Sequence, residues 1–323
     1  AIFAGIFANI KSGDHIVSVA KPYTWVQRMF DVILPRFNVT VTYIDGSNID
    51  NWINATKENT SFFYLESPNS WDFALQPIRQ VAALAQRKGI ITLIDNSYCT
   101  PLYQKPIEMG IDMAMQTATK YIGGHSDVIA GACLGSSELI TRVKGLRTFL
   151  GNMAGPWTGW LLLRSLETLK ARMDIQAFNA ERVAAHLNQH PKIEKVYYLG
   201  NLTEADGESF HIRNRQCLTN GGMISFDVKG GEKEAFLFLN SLKLIKLAVS
   251  LGSTESLAEH PATMTHADVE PEHKEALSIT EKMIRLSIGV ENYHDIMSDI
   301  DQALGKIPLI VESNQEEKQL LLV

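Results

Sequence analysis

The first half of this chain alternates short apolar runs with amphipathic stretches, and no other feature constrains its fold as strongly. Residues 15–19 (HIVSV), 39–44 (VTVTYI), 61–66 (SFFYLE), 90–95 (IITLID) and 113–117 (MAMQT) are strand-length runs rich in β-branched and aromatic side chains. Between them, 24–34, 47–56 and 75–88 carry helical periodicity. Such alternation builds a mainly parallel sheet with helices on both faces. In sheets of that kind a ligand sits beyond the carboxyl ends of the strands. Tyr23, Ser67–Ser70, Asp95 and Lys120 all fall at or just beyond a predicted strand end.

The second half reads differently. A long helical stretch over 157–190, amphipathic through LLLRSLETLKARM, connects to a smaller α+β unit. That unit contains GGMISFDV (221–228), a helix near 232–242, LIKLAVSL (244–251), MIRLSIGV (283–290) and a final helix over 293–306. The expected division is a large domain over 1–171, a C-terminal α+β domain over 172–308, and a loose tail over 309–323. The opening AIFAGIFANIKSGDHIV lacks the positive leader and cleavage site of a signal peptide. It reads as a buried helix in a chain cut open in mid-domain.

Composition excludes several function classes. A chain of 323 residues, 45% apolar, can bury a sizeable core. Its net charge of -6 gives no basic footprint for nucleic acid. No apolar run reaches the length of a membrane span. Three scattered cysteines (Cys99, Cys133, Cys217) are too few for a disulfide framework or a zinc site, which fits a cytoplasmic protein. His125, Asp127, His260 and His266 match no metal-ligand spacing, and no G-x-G-x-x-G or P-loop is present.

The residues at strand ends carry the chemistry. Asp95 opens DNSYCTP and reads either as a turn cap or as a carboxylate held beside a ligand. Lys120 follows the next strand in TATKYIGGHSDVIAG, 25 residues on, at the same sheet edge. Pyridoxal phosphate needs such a pair: a lysine to form a Schiff base, and an acid to keep the pyridine nitrogen protonated. Thr117 and Thr119, two apart on an extended segment, project to one side and offer hydroxyls to a phosphate. Tyr23 is either a rim aromatic or a ring-stacking proton carrier. Arg285, inside the apolar IRLSIGV, needs a partner, which an internal acid or a substrate carboxylate would supply. Ser250, in AVSLGSTESL, reads by itself as a polar strand residue.

Together these segments resemble the trans-sulfuration family of pyridoxal-phosphate enzymes of cystathionine and methionine metabolism. The resemblance rests on KSGDHIV (11–17), LESPNS (65–70), DNSYCTP (95–101), TATKYIGGHSDVIAG (117–131), GPWTGWLLLRSLETLKARM (155–173), SLGSTESLAEHPATMTHA (250–267) and IRLSIGVEN (284–292). These run in the family's order over about residues 1–306. The resemblance implies the aspartate-aminotransferase-like α/β architecture (fold type I) and a homotetramer assembled from dimers. It implies that Lys120 carries the cofactor, Asp95 pairs with the pyridine nitrogen, and Thr117 and Thr119 hold the phosphate. It further places Tyr23 on the ring, Ser70 beside the cofactor, and Ser250 and Arg285 on the substrate carboxylate. It also implies that the chain starts within the phosphate-binding S-G-M-A-A segment, with Ala1 near its last alanine, downstream of a tyrosine and arginine lent by a neighbouring subunit.

Departures sharpen the expectation. Thr24, Trp25 and Val26 replace the family's small residues after the tyrosine, which should narrow that wall of the pocket. Val249 before Ser250, together with DNSYCTP and AVSLG, leans toward the methionine γ-lyases. The expected activity is therefore carbon–sulfur γ-elimination from methionine or a related amino acid, giving a 2-oxo acid, ammonia and a thiol. Cystathionine γ-lyase, cystathionine γ-synthase and O-acylhomoserine sulfhydrylase are the alternatives within the family. An inactive paralogue or a fragment that does not assemble its site is the alternative class.

Overall fold

The computed structural model describes residues 1–265, 267 and 279–308. Its first unit contains α1 (Ile2–Phe7), β1 (His15–Val19), α2 (Thr24–Arg28), β2 (Thr40–Ile44), α3 (Ile49–Ala55), β3 (Thr60–Glu66), α4 (Ile78–Lys88) and β4 (Ile91–Asp95). It continues through α5 (Thr100–Tyr103), β5 (Met113–Gln116), β6 (Ala132–Gly135), α6 (Ser137–Leu150) and α7 (Pro156–Leu166). The six strands form one sheet in the order β2-β1-β3-β4-β5-β6. All pairings are parallel except β5 with β6.

Burial explains why the strands read as near-continuous apolar runs. Every residue of β1 and β5 is buried, as are nearly all of β3, because helices cover both faces. The core joins these strands to α1, α3 and α4, with Trp52, Phe62 and Phe63 fully enclosed. His15 is tolerated there because its ring nitrogens lie 2.7 Å from Thr60 Oγ1 and 2.8 Å from Thr42 Oγ1. Burial, aided by Lys57, lowers its pKa to about 4, so the ring is neutral at pH 7. Gly5 lets α1 press against the sheet, since a Cβ there would stand 2.8 Å from Leu93 Cδ1.

The second unit starts with α8 (Leu169–Gln189), followed by β7 (Ile193–Tyr197), α9 (Glu208–Gln216), β8 (Met223–Val228) and α10 (Glu232–Ser241). Then come β9 (Lys246–Leu247), β10 (Leu257–Glu259), β11 (Met283–Ser287) and α11 (Tyr293–Leu304). Its sheet has the order β7-β8-β11-β10-β9, with only β9 and β10 parallel. Residues of α8, α10 and α11 close a second core over this sheet. No helix among the described residues is long and apolar enough to cross a membrane.

Several elements differ from the sequence expectation, each for a local reason. The stretch 157–190 is two helices, α7 and α8, broken at Glu167 and Thr168. Ser165 O is taken by the Thr168 hydroxyl at 3.2 Å and by Arg172 Nη2 at 3.0 Å, so the helical ladder is interrupted there. The expected domain division at 171/172 falls inside α8. The expected helix over 24–34 is α only to Arg28; a π-helical turn and a 3₁₀ turn containing Pro35 follow. Helix α4 starts at Ile78 because Pro77 disfavours helical backbone at Gln76. Of LIKLAVSL, only Lys246–Leu247 pairs as a strand. Strands β6, β7 and β10 went unanticipated; none has a long β-branched run to announce it. The expected tail over 309–323, and His266, lie outside the described residues.

Candidate active site

The chain runs from β1 out to β2 at the sheet edge, then returns to β3 on the other side of β1. That reversal opens a crevice at the carboxyl ends of β1 and β3. A cavity of about 320 Å³ lies at this edge, and Tyr23, Ser70, Asp95, Thr117, Lys120 and Arg285 line it. Ser250 joins them, its Oγ accepting a hydrogen bond from Lys120 Nζ at 2.9 Å. Thr119 lines a second, larger cavity of about 1150 Å³, which Thr117 and Lys120 also border. The Thr119 hydroxyl donates to Ala130 O at 3.2 Å and accepts from Ala130 N at 3.0 Å.

The turn that carries Lys120 explains the glycine pair after it. Lys120 N donates to Thr117 O, and Gly124 N donates back to Lys120 O at 2.7 Å. Gly124 has φ +69°, and a Cβ there would fall 1.9 Å from Arg172 Nη1. Arg172, buried on α8, donates to Tyr121 O at 2.7 Å and to Ile122 O at 3.4 Å. An arginine of the second unit thus clamps the backbone beyond Lys120, and only glycine leaves room for it. Burial, then the nearby Arg285 charge, lowers the Lys120 pKa to about 8, while Glu259 opposes the shift. Such an amine is a nucleophile and base near neutral pH.

Asp95 ends β4, buried, and both bonds it accepts from Ser97 (Oγ at 2.6 Å, N at 2.9 Å) fall on Oδ1. Its Oδ2 has no hydrogen bond among the described residues. Directly opposite in the β3–β4 register stands Glu66, also buried. Glu66 Oε2 accepts the Tyr23 backbone N–H at 2.7 Å. Burial, then the Asp95 charge, raises the Glu66 pKa to about 8. Burial also raises Asp95, but the two Ser97 donors favour its anion. Two facing buried carboxyls cannot both ionise cheaply, so at neutral pH Glu66 keeps the proton and Asp95 the charge.

Arg285 has the internal acid that the sequence left open. It pairs with Glu259 at 3.0 Å, and among the described residues it also donates to the carbonyls of Ser70 at 3.3 Å and Ser250 at 3.5 Å. Tyr23 is half-exposed at the rim, its phenol held up by burial and by the charges of Asp95 and Glu66. Such a phenol keeps its proton at neutral pH. Thr24 and Trp25 line the cavity beside it, whereas Val26 is buried in the core.

Sequence reasoning missed Glu66, Ser97, Arg172 and Glu259. The strand-end rule would have caught Glu66, the last residue of β3, had polar strand termini been weighed singly. Ser97 lies two residues beyond Asp95 in the same turn, whereas Arg172 and Glu259 become visible only through packing. Among the described residues no cluster of three or more His, Cys, Asp or Glu could hold a metal ion. The donor set instead fits a flat cofactor with a ring nitrogen and an aldehyde. An unbonded oxygen on a buried carboxylate calls for a cationic N–H, and a lysine of lowered pKa lines the same cavity.

Comparison with known proteins agrees with this geometry. Residues 1–305 match the sequence model of a family described as Cys/Met metabolism PLP-dependent enzyme. The chain is 40% identical over 310 residues to an L-methionine gamma-lyase of Fusobacterium nucleatum subsp. polymorphum, covering 95% of this chain and 78% of that protein. It is 35% identical over 308 residues to a cystathionine gamma-lyase of Bacillus subtilis (strain 168), covering 95% and 80%. The crystal structure of cystathionine gamma-lyase from Lactobacillus plantarum complexed with L-serine superposes with a TM-score of 0.90. It shares 33% sequence identity, over 94% of this chain and 79% of that one.

Proposed function

The chain belongs to the Cys/Met metabolism PLP-dependent enzyme family, and within it we propose that it catalyses γ-elimination from methionine or a closely related amino acid. The observation that carries this reading is a single cavity holding a lysine with a pKa of about 8, a buried carboxylate with an unbonded oxygen, and a buried arginine. Similarity to an L-methionine gamma-lyase, and an apolar Val249 lining the cavity, favour a thioether without a distal charge.

In this proposal Lys120 would hold pyridoxal phosphate through its aldehyde, Asp95 would serve its ring nitrogen, Ser70 would support it, and Thr117 and Thr119 would serve its phosphate. When bound, that cofactor supplies an electron sink for the charge left at the substrate Cα. Arg285 and Ser250 orient the substrate carboxylate. The Lys120 amine takes the Cα proton, which its lowered pKa permits at neutral pH. Asp95 stays anionic because Glu66 carries the proton of that pair. A second proton then leaves Cβ, which Lys120 takes once it has passed on the first, and the Tyr23 phenol, kept protonated by its acidic neighbours, protonates the thiolate that departs from Cγ.

The enzyme is further proposed to be a cytoplasmic homotetramer divided near residue 171. An exposed apolar face supports association: Phe149, Met153, Trp157, Trp160 and Leu163 all stand out from α6, α7 and their connection. Incubation of the holoenzyme with methionine, cystathionine, or O-acylhomoserine plus a thiol separates the family's activities. The expected result is 2-oxobutanoate and thiol from methionine alone. Reaction of only the acylated substrate, and only with added thiol, refutes the γ-elimination reading.

A further inference from the structure

Glu259 and Arg285 face each other in the antiparallel β10–β11 register, their side chains 1% and 6% exposed. A guanidinium this deeply buried needs a counter-ion, and Glu259 Oε1 is 3.0 Å from Nη2. The same Oε1 accepts the Thr265 hydroxyl at 3.3 Å, whereas Oε2 is buried with no partner among the described residues. A buried carboxylate oxygen without a donor is unusual, and it marks a group held for something other than its own satisfaction. Thr265 O in turn accepts the Thr24 hydroxyl at 3.2 Å. A continuous path therefore runs from Arg285 through Glu259 and Thr265 to the segment bearing Trp25 at the cavity wall.

We propose that Glu259 is a positioning residue that fixes one edge of the Arg285 fork and, by sharing its charge, sets how tightly the other edge holds a substrate α-carboxylate. The inference rests on the reading of Arg285 as the carboxylate site. A planar guanidinium has two usable edges, and the internal acid occupies one of them. That contact, with the Ser70 and Ser250 carbonyls at 3.3 and 3.5 Å, holds the guanidinium where it lines the cavity. It also places a negative charge on the far side of the same cation, which opposes an incoming carboxylate. Aim and repulsion are separable by substitution, because an amide keeps the acceptor and loses the charge.

The test is binding of norleucine, which replaces the sulfur of methionine with a methylene and cannot eliminate, to the holoenzyme by calorimetry. Glu259→Gln is expected to tighten norleucine by about fivefold, because Arg285 then offers its whole charge. Glu259→Ala releases the fork and is expected to weaken norleucine by about tenfold or more. Pentylamine, which lacks the carboxylate, should bind all three proteins alike. A residue that merely supported the fold would shift both variants, and both ligands, in one direction. If Glu259→Gln fails to tighten norleucine, or tightens pentylamine equally, the proposal is overturned, and this outcome needs no result from the alanine variant. Arg285→Lys keeps the two readings apart. If norleucine binding ignores Arg285→Lys, the carboxylate site itself is misplaced; if it weakens while Glu259→Gln is silent, only the role of Glu259 fails.

Discussion

Replacing Glu66 with glutamine should make the cofactor-free protein more stable, by a margin that grows with pH. Glu66 is enclosed at the β3–β4 edge opposite Asp95, and its pKa rises from 4.5 to about 8. A carboxyl whose folded-state pKa is raised contributes stability that is fully present below pH 4.5 and lost as pH rises through about 8. Integrating that linkage, wild type loses about 1 kcal/mol by pH 5, about 3 by pH 7 and about 4 by pH 8. Glutamine keeps the acceptor for the Tyr23 N–H, fills the same volume and cannot ionise. The difference between the two proteins should therefore widen by about 3 kcal/mol from pH 5 to pH 8. Urea midpoints measured at half-unit pH intervals, after cofactor removal, read this directly. Parallel curves across that range would refute the assignment of the shared proton to Glu66.

Three further outcomes follow from the same geometry. Lys120→Ala should abolish covalent retention of the cofactor, so that borohydride treatment and denaturation leave labelled wild-type chain but unlabelled variant. In wild type the rate of cofactor attachment should rise with pH through about 8, since only the neutral amine attacks. Gly124→Ala should cost about 2–4 kcal/mol, since it combines a positive φ with a Cβ that collides with the pinned Arg172 guanidinium, and a lowered urea midpoint checks it.

Much of the site was legible in the sequence because its positions follow from chain-local periodicity. Strand length, helical period and alternation place Tyr23, Ser70, Asp95, Thr117 and Lys120 at one sheet edge without any knowledge of packing. The ordered segments from KSGDHIV to IRLSIGVEN then pointed to the family, and its sequence model matches residues 1–305. Less legible were elements whose signal is short or broken. Strand β10 has three residues, and the α7–α8 break depends on Arg172 reaching Ser165 O.

What the sequence determined by itself is the set of reactive groups and the sheet edge on which they gather, because both depend on residues close together in the chain. Only the tertiary structure decided how those groups are charged. Glu66 meets Asp95 through strand register, Glu259 meets Arg285 through the second sheet, and Lys120 reaches Ser250 across 130 residues of chain. Protonation depends on burial and on charges a few ångströms away, and those distances exist only once both sheets have closed around the cavity.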